Sequence, residues 1–327
     1  MSFDKNKELS ILLRIFFKIS FWFLAIIAIF FLRVEEVNLP EQPLTDKKTL
    51  VVPNNIKVNK PKKLYTTKLK QVEVPSWKKK QYLVKIIKSS LQEKHFSAMD
   101  SGAYKKVCEY YSAWCEKIDI SDEFTYQQKV YYLALSIYLF DFVNHFVDLK
   151  DNLYYVKIQP EKVGRRWYAW HHSIIMNVKK TMSYEQFFEV LTHETGHIVD
   201  LWVLVWHGFF KNKKFTEYWK PAFYDNDPSL KFYSLCWKSE KVKKPDIYIS
   251  DFVSWYGMTD PFEDFAESFN MYLNHNYVFR QMVTESNILR QKYNFLAKLF
   301  KWRYIHSDKN YAYKIGFRPR DSTSFSE

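Results

Sequence analysis

The sequence predicts an α+β domain, mostly helical with a small sheet, preceded by one N-terminal transmembrane helix. Three observations carry this. Residues 11–32 are almost wholly apolar, broken only by Arg14, Lys18 and Ser20. Two short runs of strand character, residues 153–158 and 167–178, lie among stretches of helical periodicity. Two further stretches open with helix-start residues, Ser183 and Asp260, ahead of charged residues spaced four apart.

In chain order, a short tail (1–10) precedes the apolar segment. Residues 11–32 are long enough to span a bilayer, with Lys18 able to extend toward the interface. A cleaved signal peptide is the rival reading. No small-x-small site follows Leu32, where Arg33-Val34-Glu35-Glu36 stands instead, so an uncleaved anchor is favoured. Lys5, Lys7, Arg14 and Lys18 precede the apolar run and only Arg33 follows closely, which places the N-terminus in the cytoplasm and the remaining chain outside it.

Residues 33–95 read as a Lys- and Pro-rich linker. Between Pro53 and Lys94 stand 12 Lys and 2 Glu, a net +10 of the chain's +13. Pro53, Pro61 and Pro75 argue against continuous secondary structure up to that point. The plain reading is a solvated tether, and the sharper one is contact with an anionic polymer or lipid near the membrane. Specific binding of nucleic acid is not expected, because no stretch resembles a recognised binding motif.

A globular domain is expected over residues 96–303, ample for a single core. Residues 97–117 and 122–149 read as helices, the second buried around residues 132–140. Strands follow at 153–158 and 167–178, with Ser173–Val178 either an exposed edge able to pair with an extended peptide or an ordinary interior strand. Another helix is expected over 285–300, then a polar tail, 304–327. In one continuous helix, Cys108 and Cys115 would have α-carbons about 10.5 Å apart, too far for a disulfide. Cys236 can pair with either, and with 3 Cys at least one thiol is free or intermolecular.

The chemistry lies in His193-Glu194-Thr195-Gly196-His197. Ser183 and Gln186 form a capping-box pattern ahead of it, and the apolar spacing from Phe187 to Trp202 continues the helix through it. Two imidazoles four apart share one face and can close on one metal ion, with the intervening Glu beside it. Catalytic zinc takes three protein ligands and keeps a fourth position for water. Downstream, Asp260-Pro261 marks a second helix start, placing Glu263 and Glu267 on one face. Glu263 is the candidate third ligand and Glu267 a carboxylate that holds a ligand histidine, or the ligand in its place. The plain alternatives are a capping-box Glu263 and two satisfied core histidines. Gly196, one of only 6 Gly, suggests close approach of another backbone or side chain, since Gly weakens a helix by about 1 kcal/mol.

HExGH followed by S-x-Y-G-x-x-x-x-x-E-x-F-A-E, from Ser254 to Glu267, resembles the anthrax-lethal-factor-like group of gluzincin zinc metallopeptidases, which includes secreted Pro-Pro endopeptidases. The resemblance covers about residues 184–272. It implies a zincin-like fold with one zinc ion bound by His193, His197 and Glu263. It further implies Glu194 as catalytic base, Tyr256 as oxyanion donor, Glu267 as an acid supporting a ligand, and Asp200 as the acid after the second histidine. The 66 positions between His197 and Glu263 exceed the family's usual spacing, so substrate identity does not carry over. The expectation is therefore a membrane-anchored zinc endopeptidase acting on a peptide or protein substrate. Two alternatives are a catalytically inactive zincin-like binding module on the same tether and a structural protein acting through its basic linker.

Overall fold

The computed structural model describes residues 76–91, 102–161, 167–205, 210–217, 220–221, 223–307, 314 and 316–324. The expected tail, the apolar anchor and the linker as far as residue 75 lie outside these residues. Among the described residues no helix is long and apolar enough to cross a membrane.

A helix lies within the stretch read as a linker. Helix α1, Ser76–Leu91, buries Leu83 and Ile86 while Lys78, Lys80, Lys85 and Lys88 remain exposed. Three apolar positions, Leu83, Ile86 and Ile87, lie on one face, and that face packs on α4, Tyr126–Asn144. The lysine count hid this stripe. Helix α4 begins with a capping box between Thr125 and Gln128 and is apolar all round, the pattern of a helix enclosed by its neighbours.

The helix expected over 97–117 is two helices. α2, Ala103–Tyr110, and α3, Ser112–Cys115, are separated by Tyr111 at φ −131°, ψ 43°. This break brings the α-carbons of Cys108 and Cys115 to 5.5 Å, and the two cysteines form a disulfide. The expectation that they could not pair is overturned, because it assumed an unbroken helical rise between them. Cys236 is free and buried.

The sheet has four strands in the order β1-β2-β4-β3: β1 Ile118–Ile120, β2 Tyr155–Pro160, β3 Trp167–Trp170 and β4 Ser173–Val178. β1, β2 and β4 run parallel, and β3 pairs antiparallel with β4, Ala169 opposite Ile174. Ser173–Val178 is therefore an interior strand and not an edge. The edge is β3, joined to β4 through His171 and His172, both at positive φ (45° and 60°). This two-residue turn has the handedness that matches strand twist, although glycine and asparagine are its usual occupants.

Two helices complete the frame. α6, Tyr184–Ile198, follows α5, Leu149–Asn152, and the sheet. Ser183 Oγ accepts the Gln186 N–H at 3.0 Å, as the sequence pattern requires. After α7, Pro228–Tyr233, comes α8, Pro261–Asn274, with Asp260 Oδ1 accepting the N–H groups of Phe262 and Glu263. α6 packs along α8. A Cβ on Gly196 would lie 3.1 Å from the Ala266 α-carbon and 3.3 Å from Phe269, so only glycine allows this approach without displacement. α9, Asn276–Met282, and α10, Asn287–Leu299, close the far side. Buried Lys292 on α10 pairs with Asp264 on α8 at 2.7 Å, fixing α8 from behind.

The chain end is not a free polar tail. Arg318, Ser322 and Thr323 are buried, and the turn Ser322–Ser324 packs on α6 and α8. Arg318 donates to the carbonyls of Phe252 and Ser250, a pairing of backbone and guanidinium that residue types alone do not announce.

Candidate functional site

α6 and α8 bring together the residues that the two motifs single out. Among the described residues, one group offers three metal-ligating atoms within 4.8 Å of one another: His193, His197 and Glu263. His193 Nε2 and His197 Nε2 lie 3.1 and 3.4 Å from the same oxygen, Glu263 Oε2. A tetrahedral ion bonded at about 2.0–2.2 Å holds its ligand atoms about 3.3–3.6 Å apart, and these two spacings lie close to that. Two imidazole nitrogens and a carboxylate oxygen also form a donor set known for catalytic zinc.

The electrostatics agree with a site built for positive charge. Burial alone lowers the His193 pKa, yet its contacts with Glu263 and Glu267 raise it well above the usual histidine value. His197 is raised in the same way by Glu263. Burial would raise the Glu263 carboxyl, but the two histidines hold it far below the usual carboxylate range. Negative charge thus stands beside two imidazoles that give up their protons when a cation takes their lone pairs.

Glu194 sits beside the cluster, one position along α6, and is 3% exposed. Burial raises its pKa, while the neighbouring histidines and the N–H of Ala169 on β3 pull it back. Its Oε2 is buried with no hydrogen-bond partner among the described residues. Glu267, fully buried, places Oε1 2.9 Å from His193 Nδ1, the nitrogen that points away from the cluster. This contact suits the orienting role that the sequence suggested for Glu267, and Glu263, not Glu267, joins the two histidines in the three-atom group. Tyr256 donates its O–H to Glu263 Oε1 at 3.0 Å and is 42% exposed. Glu263 is therefore engaged with the cluster and with Tyr256, not with the Asp260 amide as a capping-box residue would be.

Asp200 is not one of the three residues of that group. It lies in a π-helical turn, Val199–Val203, that continues α6, and its carboxylate accepts the Tyr233 hydroxyl while its carbonyl accepts that of Ser229. Its contacts tie α7 to the end of α6. His171 and His172 belong to the hairpin turn and lie outside the ligand group. His172 stacks between Tyr154 and Trp202, with ring centroids 4.3 and 3.9 Å away.

A cleft of about 410 Å³ opens over these groups. β3 contributes Trp167, Tyr168 and Ala169 to its lining, α6 contributes His193, Glu194 and His197, and Tyr256, Asp260, Phe262 and Glu263 complete it. The supporting residues Asp264, Asn270 and Ser322 escaped the sequence reading. Asn270 Nδ2 donates to Ser322 Oγ at 3.0 Å, across a separation of 52 residues that no local pattern reveals.

Compared with known proteins, the chain matches no family model, no curated protein and no solved structure. The resemblance to lethal-factor-like peptidases rests on its motifs alone.

Proposed function

We propose that this chain is a zincin-like, zinc-dependent endopeptidase. The observation that carries the reading is the convergence of His193, His197 and Glu263 within 4.8 Å, on the face of α6 that also presents Glu194 to the cleft. His193, His197 and Glu263 would hold the ion. A bound zinc supplies Lewis acidity, lowering the pKa of a water and polarising a carbonyl. Glu194, steadied by Ala169 N–H, takes a proton from the attacking water and delivers it to the departing amine. Tyr256 turns its hydroxyl to the carbonyl oxygen as negative charge develops there. β3 is the sheet edge beside these groups among the described residues, and an extended peptide adds to such an edge by main-chain hydrogen bonds.

The same reading places the domain outside the cytoplasm on a membrane tether. Two observations support it: the basic residues ahead of the apolar segment, and the Cys108–Cys115 disulfide, which persists in oxidising compartments.

The test is digestion of a peptide library by the purified chain, with and without a chelator. Cleavage that stops on chelation and returns with zinc is expected. Zinc binding without any cleavage would favour the tethered binding module instead.

A further inference from the structure

We propose that the C-terminal strap, residues 318–323, is a positioning element of the metal centre: it orients His193 through Glu267 and fixes the backbone that carries Tyr256. The inference rests on the metallopeptidase reading above and adds to it a required part from the far end of the chain.

Three sets of contacts carry it. The first reaches the ligand side. Glu267 Oε2 accepts the backbone N–H of Ser322 at 2.6 Å while its Oε1 faces His193 Nδ1 at 2.9 Å. The terminal torsion of a glutamate is soft and roughly two-fold, so an anchored second oxygen is what aims the first. A carboxylate that holds a ligand histidine sets both ring orientation and metal affinity.

The second set reaches the other side of the cleft. Trp255 N–H donates to Pro319 O at 3.0 Å and Tyr256 N–H donates to Arg320 O at 2.8 Å. Tyr256 opens a short 3-10 turn, Tyr256–Met258, whose first amides lack partners within the turn. The strap carbonyls accept those amides and hold the backbone beneath the Tyr256 ring.

The third set pins the strap itself. Buried Arg318 donates to Phe252 O at 2.6 Å and to Ser250 O at 3.1 Å, and pairs with Glu285 at 3.2 Å. Asn270 on α8 holds Ser322 Oγ, and Asn274 links Asn270 to Thr192 of α6, one residue before His193. Residues that reach His193 and residues that reach Tyr256 thus sit within five positions of one another, on one anchored segment. Ser322 and Arg320 act through Glu267 and Tyr256, so they are positioning residues.

The experiment compares zinc affinity, by competition with a chromophoric chelator, in the full chain and in Ser322→Pro, which removes the amide donor. Zinc affinity is expected to fall about 10- to 100-fold in a variant with native circular dichroism. Arg318→Met in the full chain, which unpins the strap from the Phe252 and Ser250 carbonyls, should show the same loss and, in addition, a lower kcat with little change in KM. Thr125→Ala, at the N-cap of α4, controls for stability: it should lower the Tm and leave zinc affinity within about twofold. Should Ser322→Pro not fold, a glycine inserted after Asp321 moves the same amide out of reach while Arg318 stays in place. Wild-type zinc affinity in any folded strap variant overturns the proposal. If the unaltered chain binds no zinc, the metallopeptidase reading falls first; if it binds zinc and the variants match it, only the strap proposal falls.

Discussion

In the proposed mechanism Glu194 and Tyr256 divide the residue-scale chemistry between a proton carrier and a hydrogen-bond donor, and substitution should separate these roles. Glu194→Gln keeps the shape and the ligands but removes the base. Zinc content should be unchanged and kcat should fall about 10²–10⁴-fold, as measured by initial rates and metal analysis. Tyr256→Phe removes the hydroxyl that the proposed mechanism turns toward the developing charge. Its kcat should fall about 10²–10³-fold with a small change in KM, and an effect confined to KM would reassign Tyr256 to substrate binding. At this scale the sequence was most legible. The four-residue spacings placed His193, His197, Glu263 and Glu267 on facing helix surfaces, because helical geometry is local. Asp200 was harder to place: its position after the second histidine is local, whereas its partner Tyr233 depends on where α7 docks.

At the scale of elements, the site depends on how closely α6 approaches α8. Gly196→Ala should gain about 1 kcal/mol of helix propensity and lose about 1–3 kcal/mol to overpacking against the Ala266 backbone. The net result should be a Tm lower by roughly 2–4 °C, read by calorimetry, because α8 cannot shift without moving Glu263. A stabilised variant would show that α8 yields freely. The signals for both helices were explicit: Ser183 and Asp260 caps, Pro261 at the first turn, and a lone glycine within a helix. Strand order was not, because alternation within a strand does not say which neighbours it has. Ser173–Val178 consequently read equally well as an edge or as an interior strand, and β3 covers it. The kink at Tyr111 likewise carries no proline or glycine to announce it, and the disulfide was missed with it.

Across the whole molecule, charge and thiols are distributed unevenly. Most of the excess positive charge lies between Pro53 and Lys94, and the lysines of α1 are part of it, so some of that charge sits on a helix packed against α4. Burial pushes the Cys236 thiol up to about 12, so at pH 8 it is protonated as well as enclosed. A thiol reagent at pH 8 should therefore find no reactive cysteine in the folded, oxidised chain, one after denaturation and three after reduction. Three reactive thiols without reductant would remove the disulfide and its support for an oxidising compartment. The strap was illegible for a reason that belongs to this scale: residues 318–323 are polar and short, and they join the core through partners 33 to 68 positions away.

The central claim is the meeting of two imidazoles and one carboxylate on a single cation. Zinc-edge X-ray absorption on the purified chain, with metal stoichiometry, tests it most directly. The account predicts one zinc per chain with two imidazole nitrogens and carboxylate oxygen at about 2.0–2.2 Å, lost on His193→Ala. A chain that takes up no stoichiometric zinc, or whose zinc survives His193→Ala with unchanged ligation, would contradict it.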